Sequence, residues 1–220
     1  MTRVLIADDH PLFRTALKQA LGACVRSLDL YEAEDLDQTR ALLADGPDFD
    51  LLLLDLHMPG SNGLAGLAGI RCEFPGVAVV VVSANDDPGV IRRALDFGAA
   101  GFIPKNSKLD LLAEALEAVL NCRTWVPTHL QRSVIAMDRN DDTALATRIA
   151  RLTPQQFRVL EMVADGKLNK QIADRLGIQE RTVKAHMSEI FGKLEVRNRT
   201  QAGVAFRRLQ LVDPAMRIDH

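Results

Sequence analysis

Four places in this 220-residue chain put reactive side chains at the end of an apolar run. Val4-Leu5-Ile6-Ala7 runs into Asp8-Asp9, and Leu51-Leu52-Leu53-Leu54 into Asp55. The run Val77–Val82 ends at Ser83, and Gly101-Phe102-Ile103-Pro104 ends at Lys105. As strands of one parallel sheet, these runs bring three carboxylates, a hydroxyl and an ammonium to one edge, where open α/β sheets do their chemistry. Clustered carboxylates repel one another and attract a hard divalent cation; Mg²⁺ suits oxygen ligands and keeps several waters. Asp55 can then act as nucleophile toward a phosphoryl group, giving an aspartyl phosphate. The cation and Lys105 offset charge on the phosphoryl oxygens, and the Ser83 hydroxyl can hydrogen-bond the transferred group. Singly, each residue has a plainer reading, since an Asp such as Asp9 at a strand-to-helix turn is commonly a helix cap. The joint pattern, at four strand ends in order, points to chemistry.

The elements that position these groups follow from hydrophobic periodicity. Strands are expected over Arg3–Asp8, Leu28–Ala33, Asp50–Asp55, Val77–Ser83 and Ala100–Ile103. Helices are expected over about Pro11–Gly22, Leu36–Asp45, Gly63–Cys72, Pro88–Phe97 and Leu109–Leu120. The alternation predicts an α/β domain, residues 1–121, with a five-stranded parallel sheet covered on both faces. The pattern weakens over 122–150, which reads as a linker. Within it Asp138–Thr143 is polar and reads as a flexible connection, whereas Trp125-Val126-Pro127 could pack on a domain. Residues 151–220 lack strand signals and read as all-α, with helices near Pro154–Asp165, Lys170–Leu176, Glu180–Leu194 and Thr200–Leu209.

In that last region a short helix with Ala173, a turn at Gly177 and a following helix form a helix-turn-helix pattern. The second helix would enter the major groove of DNA. It offers Arg181, Thr182, Lys184 and Ser188, with Lys184 and Ser188 on one face. Lys167 and Lys170 could touch phosphate or be ordinary solvated lysines. The charge distribution agrees: Met1–Asn121 carries 10 Lys+Arg against 18 Asp+Glu, and Arg151–His220 carries 13 against 8. A basic end can attract nucleic acid.

Composition excludes several classes. No apolar run approaches the roughly 20 residues that span a bilayer, so no membrane association is expected. The N-terminus meets Asp8-Asp9 before a signal-peptide core can develop, which suggests the cytoplasm. Cys24, Cys72 and Cys122 are odd in number and lack metal-ligand spacing, arguing for reducing surroundings and small buried or half-buried residues.

Ile6-Ala7-Asp8-Asp9-His10, Leu53-Leu54-Asp55-Leu56-His57-Met58-Pro59-Gly60, Val82-Ser83-Ala84 and Gly101-Phe102-Ile103-Pro104-Lys105 resemble the receiver domain of response regulators. The resemblance implies a flavodoxin-like sheet, Asp55 as phosphoacceptor, and Mg²⁺ bound directly by Asp9, Asp55 and the His57 backbone carbonyl, with Asp8 acting through a water. It implies Ser83 and Phe102 as a switch pair, Lys105 on the phosphoryl group, and a sensor histidine kinase as donor. Phe102 lacks the tyrosine hydroxyl of many relatives. His57 stands where the phosphoryl lifetime is tuned in the family; it could orient water or be a solvated loop histidine.

Leu152-Thr153-Pro154, Val159-Leu160, Gly166, Asn169-Lys170, Ile172-Ala173, Thr182-Val183-Lys184, His186, Lys193-Leu194 and Val196-Arg197-Asn198-Arg199 resemble the LuxR-type helix-turn-helix domain. Gln156 departs from a usual Glu, which would remove an internal ion pair. Leu168 departs from a usual Ser or Thr, which would weaken a helix cap. Together the halves resemble the NarL/FixJ subfamily. That implies a phosphorylation-controlled transcriptional regulator, not an enzyme, that binds DNA as a homodimer when phosphorylated, through contacts of its last helix. RNA polymerase is a further partner to consider. A haloacid-dehalogenase-type phosphohydrolase fits poorly, because it needs Asp-x-Asp after its first strand. A receiver that has lost its phosphorylation fits poorly too, because every residue for that chemistry is present. In a ligand-sensing LuxR-type regulator a ligand domain would stand where the receiver pattern lies.

Overall fold

The structure, a computed structural model, describes residues 1–25, 27–137 and 141–210. Its first part alternates β1 (Thr2–Ala7), α1 (Pro11–Cys24), β2 (Leu28–Ala33), α2 (Leu36–Asp45), β3 (Leu51–Asp55), α3 (Leu64–Glu73), β4 (Ala78–Ser83), α4 (Pro88–Asp96), β5 (Gly101–Pro104) and α5 (Leu109–Leu120). All pairings are parallel and the strand order is β2-β1-β3-β4-β5. The order reverses between β1 and β3, and a crevice opens beyond the carboxyl ends of strands at such a point. Register completes the placement: Ala7 lies opposite Leu54, Asp55 opposite Val82, and Ser83 opposite Pro104.

The strands are apolar on both faces because helices cover both. Leu5, Leu52, Leu54, Val79, Val81 and Phe102 pack on one side; Val4, Ile6, Leu51, Leu53, Val80 and Ile103 pack with α1 and α5 on the other. This alternation is the period-two consequence of strand geometry.

The region expected to be a linker is largely helical. Trp125 extends the sheet edge: its amide donates to the Ala100 carbonyl at 3.2 Å, and the Phe102 amide donates to its carbonyl at 3.0 Å. Helix α6 (Thr128–Ala136) then packs on α4, and α7 (Asp141–Ile149) packs on α4 and on a later helix. Val134, Leu145, Ala146 and Ile149 are buried, which is why these helices hold. Of the polar stretch Asp138–Thr143, residues 138–140 lie outside the described residues, and the remainder begins α7.

The C-terminal part is α8 (Pro154–Ala164), α9 (Asn169–Leu176), α10 (Glu180–Leu194) and α11 (Arg199–Arg207). Gly177 adopts φ 64°, a left-handed conformation that glycine enters without strain, and so ends α9 in a tight turn. Phe157 and Phe206 meet edge-on at 5.7 Å and hold α8 to α11. Among the described residues no helix is long and apolar enough to cross a membrane. Cys24 and Cys122 are exposed rather than buried, because they stand where α1 and α5 end. Cys72 is half-buried and donates to the Leu152 carbonyl at 3.1 Å.

Candidate functional site

The sheet edge gathers Asp8, Asp9, Asp55 and Lys105. Asp8 and Asp55 are buried, and Asp9 is partly exposed. The Lys105 ammonium lies 2.7 Å from Asp8 Oδ2 and 2.8 Å from Asp55 Oδ2, and 5.2 Å from the centre of the Phe13 ring. Burial pulls the Lys105 pKa down, but hydrogen bonds and charge from Asp55 and Asp8 outweigh it and leave the pKa raised. The Asp55 carboxylate also accepts from the His57 amide at 3.0 Å, so the loop after β3 is wrapped onto the acid. The His57 side chain is 29% exposed, with Nδ1 3.9 Å from Asp55 Oδ1.

Ser83 and Phe102 are fully buried. Ser83 Oγ accepts from the Asn85 amide at 3.2 Å, and the Ser83 carbonyl accepts from the Lys105 amide at 2.7 Å, tying the ends of β4 and β5 together. Two residues escaped the sequence reading. Arg14, buried in α1, donates to the Asp8 carbonyl at 2.7 Å and pairs with Glu32 and Glu34, holding β1 and β2 in place beneath the pocket. His10 folds over the acids, with Nδ1 2.7 Å from Asp9 Oδ1. A histidine directly after the paired acids is the signal that could have found it.

The donor set suits a divalent cation. Ligand atoms of Asp8, Asp9, His10 and Asp55 lie within 4.8 Å of one another. Asp8 Oδ2 is buried, with the Lys105 ammonium 2.7 Å away. One ammonium against three gathered carboxylates leaves net negative charge in the pocket, which a divalent cation would offset.

In the helix-turn-helix, Lys170, Arg181, Lys184 and Ser188 are exposed and Thr182 is half-buried. Lys184 pairs with Glu180 at 3.3 Å, one turn back on α10, and Ser188 Oγ donates to the Lys184 carbonyl at 3.2 Å. Lys170 sits apart from these, at the start of α9. Gln156 is well served where an ion pair was expected to be lost. Its Oε1 accepts from the Thr153 amide at 3.0 Å and from Lys193 at 2.6 Å, and its Nε2 donates to Glu189. Leu168 provides no side-chain cap, as expected, but Gln171 Oε1 still accepts from its amide at 2.8 Å, so half of a capping box survives.

Residues 4–117 match the response regulator receiver domain, and residues 150–206 match the bacterial regulatory proteins of the luxR family. The chain is 42% identical over 206 residues to a glycerol metabolism activator of Pseudomonas putida, covering 92% of this chain and 93% of that protein. It is 33% identical to the nitrate/nitrite response regulator NarL of Escherichia coli K12, covering 91% and 93%. Among solved structures it resembles RcsB of Salmonella enterica bound to a promoter in the presence of the phosphomimetic BeF₃⁻ (TM-score 0.53, 25% identity, 94% of this chain and 98% of that one).

The chain belongs to the two-component response regulators: a receiver domain followed by a LuxR-type DNA-binding domain. Within them it falls in the NarL/FixJ subfamily, whose members regulate transcription under the control of phosphorylation, and this chain is such a regulator.

Proposed function

We propose that Asp55 is the phosphoacceptor and that a sensor histidine kinase supplies the phosphoryl group from a phosphohistidine. The observation that carries this reading is the Lys105 ammonium bridging Asp8 and Asp55 at 2.7 and 2.8 Å, which sets a cationic group where phosphoryl oxygens would gather. An Asp55 oxygen attacks phosphorus, the bond to the donor nitrogen breaks, and the leaving group keeps the electron pair. Lys105 then turns from Asp8 toward the phosphoryl oxygens. The Ser83 hydroxyl follows to hydrogen-bond them, and the Phe102 ring answers that movement. Asp9, Asp55 and the His57 carbonyl would hold Mg²⁺, with Asp8 acting through a water. When bound, the ion offsets phosphoryl charge. The chain's role is binding and control rather than turnover of a substrate, and it acts in the cytoplasm.

In this reading residues 1–121 form the receiver, 122–150 the connection and 151–220 the DNA-binding domain. Arg181, Thr182, Lys184 and Ser188 face DNA, and Lys170 contacts phosphate. Phosphorylation favours a homodimer on paired half-sites, which RNA polymerase could then contact.

The test is to label the protein with acetyl phosphate and Mg²⁺, map the modified residue, and map DNA binding across the genome for wild type and Asp55→Ala. Label confined to Asp55, with occupancy reduced in the mutant, is expected. Undiminished labelling of Asp55→Ala would overturn the assignment.

A further inference from the structure

We propose that His10 is a nitrogen ligand of the cation in the acidic pocket and that it biases the site toward first-row cations such as Mn²⁺ over Mg²⁺. This rests on the reading that the pocket binds a divalent cation, and deepens it. His10 is the N-cap residue of α1, yet its side chain caps nothing. Pro11 at the first helical position keeps the His10 backbone extended, at φ −96° and ψ 105°. The His10 amide donates to Asp8 Oδ1 at 2.8 Å, which fixes the backbone against the pocket. From there the imidazole, itself 64% exposed, leans over the acids at the mouth of the pocket: Nδ1 lies 2.7 Å from Asp9 Oδ1 and 3.2 Å from Asp8 Oδ1.

The Lys105 ammonium marks where positive charge belongs. It stands 2.7 Å from Asp8, 2.8 Å from Asp55 and 3.4 Å from His10 Nδ1. A cation held by Asp9 and Asp55 has the imidazole within reach too, with Nδ1 exchanging its hydrogen bond to Asp9 for the cation. Imidazole nitrogen suits first-row transition cations, whereas Mg²⁺ prefers oxygen and gives up water reluctantly. One nitrogen among oxygens therefore changes which ion the site prefers while leaving it able to take either.

The experiment uses the full chain loaded with Mn²⁺ and pulsed electron paramagnetic resonance, with histidine carrying ¹⁵N. Coupling of a directly bound histidine nitrogen is expected in wild type and in His57→Ala, and its loss in His10→Ala. Calorimetric titration of the same proteins should show Mn²⁺ affinity falling on the order of tenfold or more in His10→Ala, with Mg²⁺ affinity changing far less. Absence of histidine coupling in Mn²⁺-loaded wild type, or equal weakening of both ions in His10→Ala, overturns the role of His10; the imidazole would then only hydrogen-bond Asp9. If wild type binds neither ion, or Asp9→Ala binds both as tightly as wild type, the reading of the pocket itself fails.

Discussion

The backbone amide of Leu64 donates to the carbonyl of Leu209 at 3.0 Å. Leu64 opens α3 at the end of the loop that begins at Asp55, and Leu209 follows α11 at the far end of the DNA-binding domain. An N-terminal amide of one helix thus satisfies a carbonyl just past the C-terminus of another, where both groups lack partners within their own helices. Arg93 of α4 donates to the neighbouring Arg208 carbonyl, and Asp142 of α7 pairs with both Arg93 and Arg208. Alongside, Glu73 is almost fully buried between Arg40 of α2 and Arg158 of α8. The receiver and the DNA-binding domain are therefore docked, through α3 and α4 against α8 and α11.

Gly69 makes that docking close. A Cβ there would stand 2.8 Å from Arg40 Nη2 and 3.0 Å from Phe157 Cε1. Gly69→Leu should wedge α3 from α8, while the receiver helix itself gains roughly 1 kcal/mol of propensity. The outer face of α11, where Val204 is already 50% exposed, can then meet a second copy without the receiver docked beside it. The unphosphorylated variant should have a larger radius of gyration by X-ray scattering and bind a two-half-site DNA more tightly than wild type. Unchanged scattering and unchanged affinity together would show that this contact does not restrain the protein.

Trp125, the chain's single tryptophan, bonds by its backbone to both neighbours of Gly101 on β5, and its ring Nε1 donates to Glu114 at 3.3 Å. It is therefore a built-in reporter on the strand that carries Phe102. Beryllofluoride with Mg²⁺ should shift or quench its emission in wild type. Ser83→Ala keeps Asp55 and the acids but removes the sensing hydroxyl, so its response should shrink, together with any gain in dimerisation measured by sedimentation. A full response in Ser83→Ala would place the switch elsewhere.

Lys184 is 66% exposed, and among the described residues only Glu180, itself exposed, pairs with it. Such a pair contributes little to stability, so Lys184→Ala should leave the thermal midpoint almost unchanged. Its DNA affinity should fall by about 1–3 kcal/mol on specific sites if it contacts a base. If it contacts phosphate, specific and random DNA should weaken alike and the salt dependence should flatten. Wild-type binding to both would remove Lys184 from the interface.

Glu161 lies in the cleft between the domains with Asp37, Arg40, Arg158 and Asp165. Burial pushes its carboxyl pKa up, helped by Asp165, Glu73 and Asp37 and opposed by Arg40. A carboxyl with a raised pKa in the docked state takes up a proton more readily there than when the cleft is open. Docking should thus gain strength as pH falls through that raised value and lose this contribution as pH rises above it. X-ray scattering between pH 7 and pH 5 should show the chain closing toward acid, and Glu161→Gln should flatten the trend. A trend of opposite sign, or one unaltered in Glu161→Gln, would assign the pH response to other groups.

Much of this was legible in the chain alone. The two periodicities, and acids standing at the ends of Val4–Ala7 and Leu51–Leu54, determine a parallel sheet with Asp8, Asp9 and Asp55 on one edge, because side-chain direction and helix pitch are local properties. Gly177, with the polar face of Arg181, Lys184 and Ser188, determines the helix-turn-helix for the same reason. Only the tertiary structure decided what depends on contacts distant in sequence. Trp125 joins β5 through backbone hydrogen bonds, which carry no side-chain signature. The segment read as a connection holds α6 and α7, because their short apolar stripes become stable only when packed on α4 and, for α7, on α10 as well. His10 over Asp9, Arg14 beneath Asp8, and Leu64 bonded to Leu209 are likewise meetings of separate elements. They are set by how the sheet, its helices and the second domain pack, and no local pattern records that packing.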